Sequence, residues 1–199
     1  MTSGAADWSL INITDMEGMD NQMRELIRLA WGSSFLGDYM VAASDRGVVA
    51  VEFADRHSAI KDVIRARFPA AEVVEDQDGL ANTLDKIGQA IECPGVDFDV
   101  VLDMRGSPFD IDVWTLLGQI PAGTTTSYGA LALKLGTTDA RPVTESIAAN
   151  PIAVLVPCHR VIKKDGSISG YRWGVGRKRK LLEKERDIAR QGERPISDL

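Results

Sequence analysis

The hydrophobic pattern changes its period near Gly106, and this limits the folds open to the chain more than any other feature. Upstream, strand and helix patterns are mixed. Tyr39-Met40-Val41-Ala42-Ala43 and Val48-Val49-Ala50-Val51-Glu52-Phe53 are β-rich runs on either side of Ser44-Asp45-Arg46-Gly47, which has turn chemistry. Together they predict an antiparallel hairpin. Ile60, Val63, Ile64, Arg67 and Phe68 follow helical spacing, and Pro69 stops that helix. Leu80, Leu84, Ile87 and Ile91 predict a second amphipathic helix, closed by Cys93-Pro94-Gly95. Asp97 to Met104 alternates like a short strand. Met1 to Gln22 is polar and without period, and reads as a tail.

Downstream the pattern is helical. Phe109, Val113, Leu117 and Ile120 share a face, ended by Pro121-Ala122-Gly123. Tyr128 to Leu135 predicts a short helix with Gly136 as its stop. After a turn at Thr137-Thr138-Asp139-Ala140, a second short helix runs from Arg141 to Ala149, with Pro142 in its first turn. Two short helices on a tight turn make a helix-turn-helix candidate, although such a pair also serves as plain core. Ile152 to Val156 reads as a buried strand, Lys164-Asp165-Gly166 as a hairpin turn, and Gly174 to Arg190 as a final helix.

Composition excludes several classes. No apolar run approaches the length of a membrane span, and the N-terminus lacks a secretory pattern, so the expectation is a cytoplasmic protein with no membrane partner. Two cysteines and two widely spread histidines support neither a disulfide scaffold nor a structural zinc site. The net charge of −6 speaks against a nucleic-acid binder, but its distribution is uneven. Eight basic residues (Lys163, Lys164, Arg172, Arg177 to Lys180, Lys184) fall within a short stretch that holds only Asp165 and Glu183 as acids. They form either a local basic surface or the solvated face of a terminal helix.

Pro157-Cys158-His159-Arg160 carries the clearest chemistry. A thiol is strongly nucleophilic only as a thiolate, which a base or nearby positive charge promotes. Following Pro157 and an apolar run, Cys158 is expected at the mouth of the core. On extended backbone, adjacent side chains diverge, so a direct Cys158–His159 contact requires a turn or a bridging water. Taken alone, the dipeptide is equally consistent with a buried inert cysteine.

Its surroundings are more specific. Ile120-Pro121-x-Gly123, Ser127-Tyr128-Gly129-x-Leu131-Ala132, Asn150-Pro151, Pro157-Cys158-His159-Arg160-Val161, Gly170-Tyr171-Arg172-Trp173-Gly174, Lys178, Leu181-Leu182 and Glu185 together resemble the O6-alkylguanine-DNA alkyltransferase family. The pattern is close to the C-terminal half of its Ada-type members. The resemblance is strong over Phe109 to Glu185 and general from Leu36 to Met104. It implies an α/β protein. A tail (1–25) precedes a small ribonuclease-H-like α/β domain (26–104), followed by a mostly helical domain with the helix-turn-helix and cysteine (105–190) and a second tail (191–199).

The resemblance also implies an activity and a set of residue roles. Cys158 would accept an alkyl group from guanine O6, and secondarily from thymine O4, in one irreversible step without metal or organic cofactor. His159 would act as base through a water and Glu185 would orient it. Tyr171 would hydrogen-bond O6. Tyr128 would crowd the phosphate, Arg141 would fill the gap left by the flipped nucleotide, and Asn150 would order the turn after the recognition helix. Val161 would read the guanine edge, with Arg172 and Trp173 in the variable pocket loop. The partner would be double-stranded DNA containing O6-alkylguanine, and the protein a monomer. Independently, Glu185 lies four residues after Leu181 and so shares a face with a core leucine, where a carboxylate needs a partner.

Departures from the family pattern lie in the recognition helix. Pro142, Thr144 and Glu145 replace its usual small residues, and Glu145 can pair with Arg141 one turn away and repel phosphates. Cys93 has no family counterpart and reads as structural or incidental. The four-cysteine zinc module of the family's larger regulators is not expected here. Two other classes remain compatible with parts of the pattern: a non-catalytic binder of damaged bases, and a cysteine hydrolase built on a Cys-His-carboxylate triad.

Overall fold

A computed structural model of the chain describes residues 24–53, 57–96 and 99–192; the tail read at Met1 to Gln22, the start of the strand read from Asp97 and most of the second tail lie outside these residues. The first half is built on a four-stranded sheet of order β3-β2-β1-β4, from β1 (Leu26–Ser34), β2 (Gly37–Ser44), β3 (Gly47–Phe53) and β4 (Glu72–Glu75). The predicted hairpin is β2–β3, antiparallel, with a register shift at Ala42/Ala43. Its turn needs Gly47: φ is +147°, and a Cβ would sit 2.6 Å from the Val101 carbonyl oxygen. β1 pairs antiparallel with β2 and parallel with β4, a connection made through α1 (His57–Arg67).

Both faces of the sheet are covered. On one, Ile27, Leu29, Met40, Ala42 and Val49 pack with Ile60 and Ile64 of α1. On the other, Tyr39, Val41, Val48, Val51 and Phe53 meet Leu84, Ile87 and Ile91 of α2 (Ala81–Glu92) and, in the same continuous core, residues of the second half. These include Trp114, Leu117, Ile152, Val156 and Leu181. The sheet and the helical half therefore share one core, as expected where apolar burial is the main stabilising term.

Three strand readings change. The stretch before Met104 is not a regular strand. Between residues 99 and 104 it makes a single parallel bridge, Val48 with Leu102, supported by hydrogen bonds between Val48 and both Val101 and Asp103. Ile152 to Val156 is buried but not a strand: one bridge joins Ile152 to Val51, and then the chain turns, with Val154 at φ 65°. The buried Asn150 side chain holds this turn, accepting from the Ile152 N–H and donating to the Val156 carbonyl. Conversely, β1 and β4 were not read as strands in the sequence, because β1 runs into Trp31-Gly32-Ser33-Ser34 and β4 is only four residues long.

In the second half, α3 (Pro108–Gly118) opens with a capping box in which Ser107 and Asp110 exchange hydrogen bonds. The two short helices stand as expected: α4 (Tyr128–Lys134) is capped by Ser127, and α5 spans Arg141–Ala149. Gly136, at φ 75°, makes the turn between them. Trp114 of α3 locks α5 in place by donating its indole N–H to the Ser146 carbonyl at 2.8 Å. A two-residue parallel pairing of β5 (Thr126–Ser127) with β6 (Val161–Ile162) brings the start of α4 beside the Cys158 turn. The turn at Lys164-Asp165-Gly166 is present, closed by Gly166 N–H to the Lys163 carbonyl, but β6 pairs only with β5. The last helix, α6, runs from Val175 to Gly192. Among the described residues, no helix is long and apolar enough to cross a membrane.

Trp114→Phe keeps the aromatic bulk and removes the donor to Ser146. It should destabilise the protein by about 1–3 kcal/mol, read as a lower urea midpoint with an unchanged slope.

Candidate active site

The site gathers around one carboxylate. Glu185 projects from α6 on the stripe formed by Lys178, Leu181 and Leu182, which stand at i, i+3, i+4 and i+7 with it. All four are buried, with Glu185 only 1% exposed. Cys158-His159-Arg160 forms a single 3-10 turn, so His159 and Arg160 both swing toward α6. Glu185 Oε1 meets His159 Nε2 at 2.8 Å. Arg160 donates through Nε and Nη2 to the same carboxylate and through Nη1 to the Ile120 carbonyl. The Gly123 N–H donates to Glu185 Oε2 at 3.1 Å. Gly123 is at φ +77°, and a Cβ there would lie 3.1 Å from Ala189 Cβ and 3.4 Å from the Glu185 carbonyl oxygen; the backbone must be bare to approach α6.

Burial would raise the Glu185 pKa, but the hydrogen bonds and charges of His159 and Arg160 overcome it and bring the group down to about 2. An ionised carboxylate only accepts, so Nε2 of His159 carries the proton in that bond. Burial holds the imidazole pKa below its usual value, against the pull of Glu185. The ring is therefore neutral at pH 7, with a lone pair on Nδ1. Nδ1 is buried and makes no hydrogen bond to any described residue, and the same is true of Tyr171 Oη. The Tyr171 ring packs edge-on to His159 at 6.4 Å and to Trp173 at 5.1 Å, between centroids.

Cys158 is only 4% exposed, deeper than the mouth position expected from the sequence, because the chain turns at Val154 and Pro157 and packs the thiol into the shared core. Burial pushes its pKa up to about 11. The Asn150 side chain and the charges of Lys178 and Arg172 favour the thiolate without prevailing. The resting thiol is thus protonated. Lys178, 1% exposed, donates to the Val161 carbonyl and to Ser169 Oγ, and burial lowers its pKa to about 8. Ser169 in turn hydrogen-bonds Tyr128 Oη at 2.6 Å, connecting α4 to the site. Val161 is fully buried beside the turn.

The remaining expected residues are placed differently. Arg141 is exposed at the start of α5 and pairs with Asp139 at 2.8 Å; the pairing with Glu145 expected from helix spacing gives way to this nearer carboxylate in the turn. Arg172 and Trp173 both turn toward Glu52 of β3. The basic stretch is neither wholly surface nor wholly solvated. Lys178 is buried, Arg172 and Lys184 pair with Glu52 and Glu92, and Arg177 donates to the Leu36 and Trp173 carbonyls. Lys163, Lys164, Arg179 and Lys180 are exposed. Sequence reasoning assigned no role to Arg160, Lys178 or Glu52. The heptad-like stripe on α6 was the signal for Lys178, a lysine set among core positions. Among the described residues, no group of three or more His, Cys, Asp or Glu is arranged to hold a metal ion.

Residues 108–187 match the family described as 6-O-methylguanine DNA methyltransferase, DNA binding domain. The inducible methylated-DNA–protein-cysteine methyltransferase of Bacillus subtilis is 37% identical over 75% of this chain and 84% of its own length. The bifunctional transcriptional activator/DNA repair enzyme Ada of Escherichia coli is 36% identical over 80% of this chain, which spans only 45% of that protein. A crystal structure of Mycobacterium tuberculosis OGT in complex with DNA superposes with a TM-score of 0.68 at 32% identity, covering 80% of this chain and 93% of that one. The chain belongs to the methylated-DNA–protein-cysteine methyltransferase family.

Because the Glu185 pKa is depressed, its contribution to stability is complete above the ordinary value of 4.5 and is lost as pH falls toward about 2. Glu185→Gln should cost about 3 kcal/mol or more at pH 7, since it leaves Arg160 buried without its counter-charge. Between pH 4.5 and 2 the variant should lose less further stability than the wild type, as read by urea unfolding at each pH.

Proposed function

We propose that this chain repairs O6-alkylguanine in double-stranded DNA by moving the alkyl group to Cys158, once per molecule. The observation that carries the reading is the buried Cys158 turn, with its neighbouring imidazole clamped by Glu185 at 2.8 Å. Residues 105–190 hold the site and residues 26–104 support it, in the cytoplasm.

The target oxygen is paired within a duplex, so the nucleotide must leave the stack before a buried thiol can meet it. In this reading α5 lies against the DNA, with Arg141 released from Asp139 to occupy the gap. Tyr128 presses on the phosphate beside the target, and Asn150 keeps the turn to Cys158 rigid. The flipped base lies against Val161 and under Tyr171, whose unpaired Oη donates to guanine O6. Nδ1 of His159 takes the thiol proton through a water. The thiolate then attacks the alkyl carbon, forming the S–C bond while the C–O6 bond breaks. The electron pair leaves on the guanine, and the proton that His159 took from the thiol restores the neutral base. The product is a thioether, which water does not cleave, so no second turnover follows.

A thiol with a pKa near 11 suits this scheme. The thiolate need not persist at rest: His159 accepts the proton as the thiol attacks, while Asn150, Lys178 and Arg172 favour the charged sulfur. Since the His159 pKa is held below its ordinary value, protonation of this base should slow transfer only at pH below that value, as read from the pH dependence of the transfer rate.

The test is mass spectrometry of intact protein and peptides after mixing with duplex DNA bearing one O6-methylguanine. One methyl on the Cys158 peptide, one per molecule, with Cys158→Ser inert, is the expected result. An intact lesion with unmodified protein overturns the reading, and repeated turnover indicates a hydrolase instead. Glu145→Ala, which removes a carboxylate from the DNA-facing helix, should tighten duplex binding by about threefold to tenfold, most clearly at low salt. Unchanged affinity in a salt titration would count against α5 as the DNA-facing helix.

A further inference from the structure

Glu52 is the buried carboxylate that the chemistry above leaves unused. It lies next to the end of β3, in the sheet half, and is 4% exposed. Its Oε2 accepts the indole N–H of Trp173 at 2.5 Å, and its Oε1 accepts from Arg172 Nη2 at 3.0 Å. Arg67, the last residue of α1, brings Nη1 to 3.8 Å of the same oxygen. These contacts cross 120 and 121 residues of sequence to reach the loop Gly170–Gly174.

That loop carries Tyr171 and has three polar anchors, one of them the Arg177 guanidinium on the Trp173 carbonyl. At its start Lys178 Nζ reaches the Gly170 carbonyl; at its centre Glu52 holds Arg172 and Trp173. Trp173 is the inner of the two Glu52 ligands. It is buried, and its ring meets the Tyr171 ring edge-on at 5.1 Å between centroids. Tyr171 in turn meets His159. A displaced Trp173 removes the wall that sets the tilt of Tyr171. A buried carboxylate is a costly way to fill space, since an apolar residue there would avoid desolvation. It supplies direction: one carboxylate fixes both the indole and the guanidinium. Through these contacts the sheet half shapes the loop that carries Tyr171.

We propose that Glu52 is a positioning residue for alkyl transfer, holding the Gly170–Gly174 loop through Trp173 and Arg172 so that Tyr171 Oη meets the leaving guanine oxygen. The proposal rests on the alkyl-transfer reading above. Glu52 does not touch the base, and its loss should slow the chemical step while leaving the DNA-facing helix unchanged.

The experiment is single-turnover transfer from O6-methylguanine duplex, quenched on the time scale of the reaction. It yields the rate constant at saturating DNA, the half-saturating concentration and the final methyl count per molecule. The final count measures the folded, competent fraction, so misfolding lowers it without altering the rate constant of the remainder. Glu52→Ala should lower the saturating rate constant by about tenfold or more, with half-saturation changed by no more than about threefold. Glu52→Gln, whose amide oxygen still accepts from Trp173 Nε1, should recover part of that rate. Trp173→Phe lacks the donor and should slow transfer alone, but add less than its own effect in the Glu52→Gln background. Wild-type protein that reacts while Glu52→Ala reacts at the same rate, or loses only final count or DNA affinity, overturns the positioning role and leaves the repair reading intact. Wild-type protein that transfers nothing to Cys158 overturns the repair reading, and the positioning role with it.

Discussion

The Glu185 carboxylate is the interaction on which the rest of this structure depends. It draws three donor residues from two places in the chain: His159 and Arg160 on the cysteine turn, and the backbone of Gly123 after α3. Arg160 extends the link to the Ile120 carbonyl. The end of α3, the 3-10 turn and α6 are thus held by one buried charge and its complement. Such an arrangement is stable only when complete, because each missing partner leaves a charge or donor unpaired in a low-dielectric interior. It also decides which imidazole nitrogen bears the proton. The same contact therefore fixes the fold locally and sets the chemistry.

Around this centre the two halves are joined by a common apolar core and by a few polar ties. Trp114 binds α3 to α5, Lys178 binds α6 to the loop after β6, and Glu52 reaches from β3 to the pocket loop. Each tie pairs a buried polar group across two elements. That gives geometry to a region whose apolar contacts alone would tolerate small slips. The loop that carries Tyr171 thereby leans on the sheet.

The helices were largely legible in the sequence. Pro142, Asn150 and Gly136 marked the helix-turn-helix, and α5 has the bounds read from its residues. Local chemistry decides such ends. That Glu185 needs a partner was legible as well, since it lies one turn from a core leucine; that the partner is His159 followed from the family resemblance alone. What could not be read depends on distant parts of the chain. Ile152 to Val156 is apolar enough for a strand, but Asn150 and the turn at Val154 bend it. Glu52 looks like the polar face of a hairpin until Trp173 covers it. Arg141 chose Asp139 over Glu145 because the turn brings the nearer carboxylate to it. The depth of Cys158 likewise follows from the turn and not from its neighbours in sequence.

On the alkyl-transfer proposal each molecule would react once, and that depth then has a consequence. Every molecule that meets a stray electrophile or oxidant first is lost to its task. A thiol kept protonated and under cover reacts slowly with small soluble reagents, which attack thiolates that are accessible. Cys93, exposed on the surface of the same chain, has no such shelter. The fold thus protects its one reactive sulfur by withholding ionisation, and the supply of unspent protein is conserved until a substrate able to enter the pocket arrives.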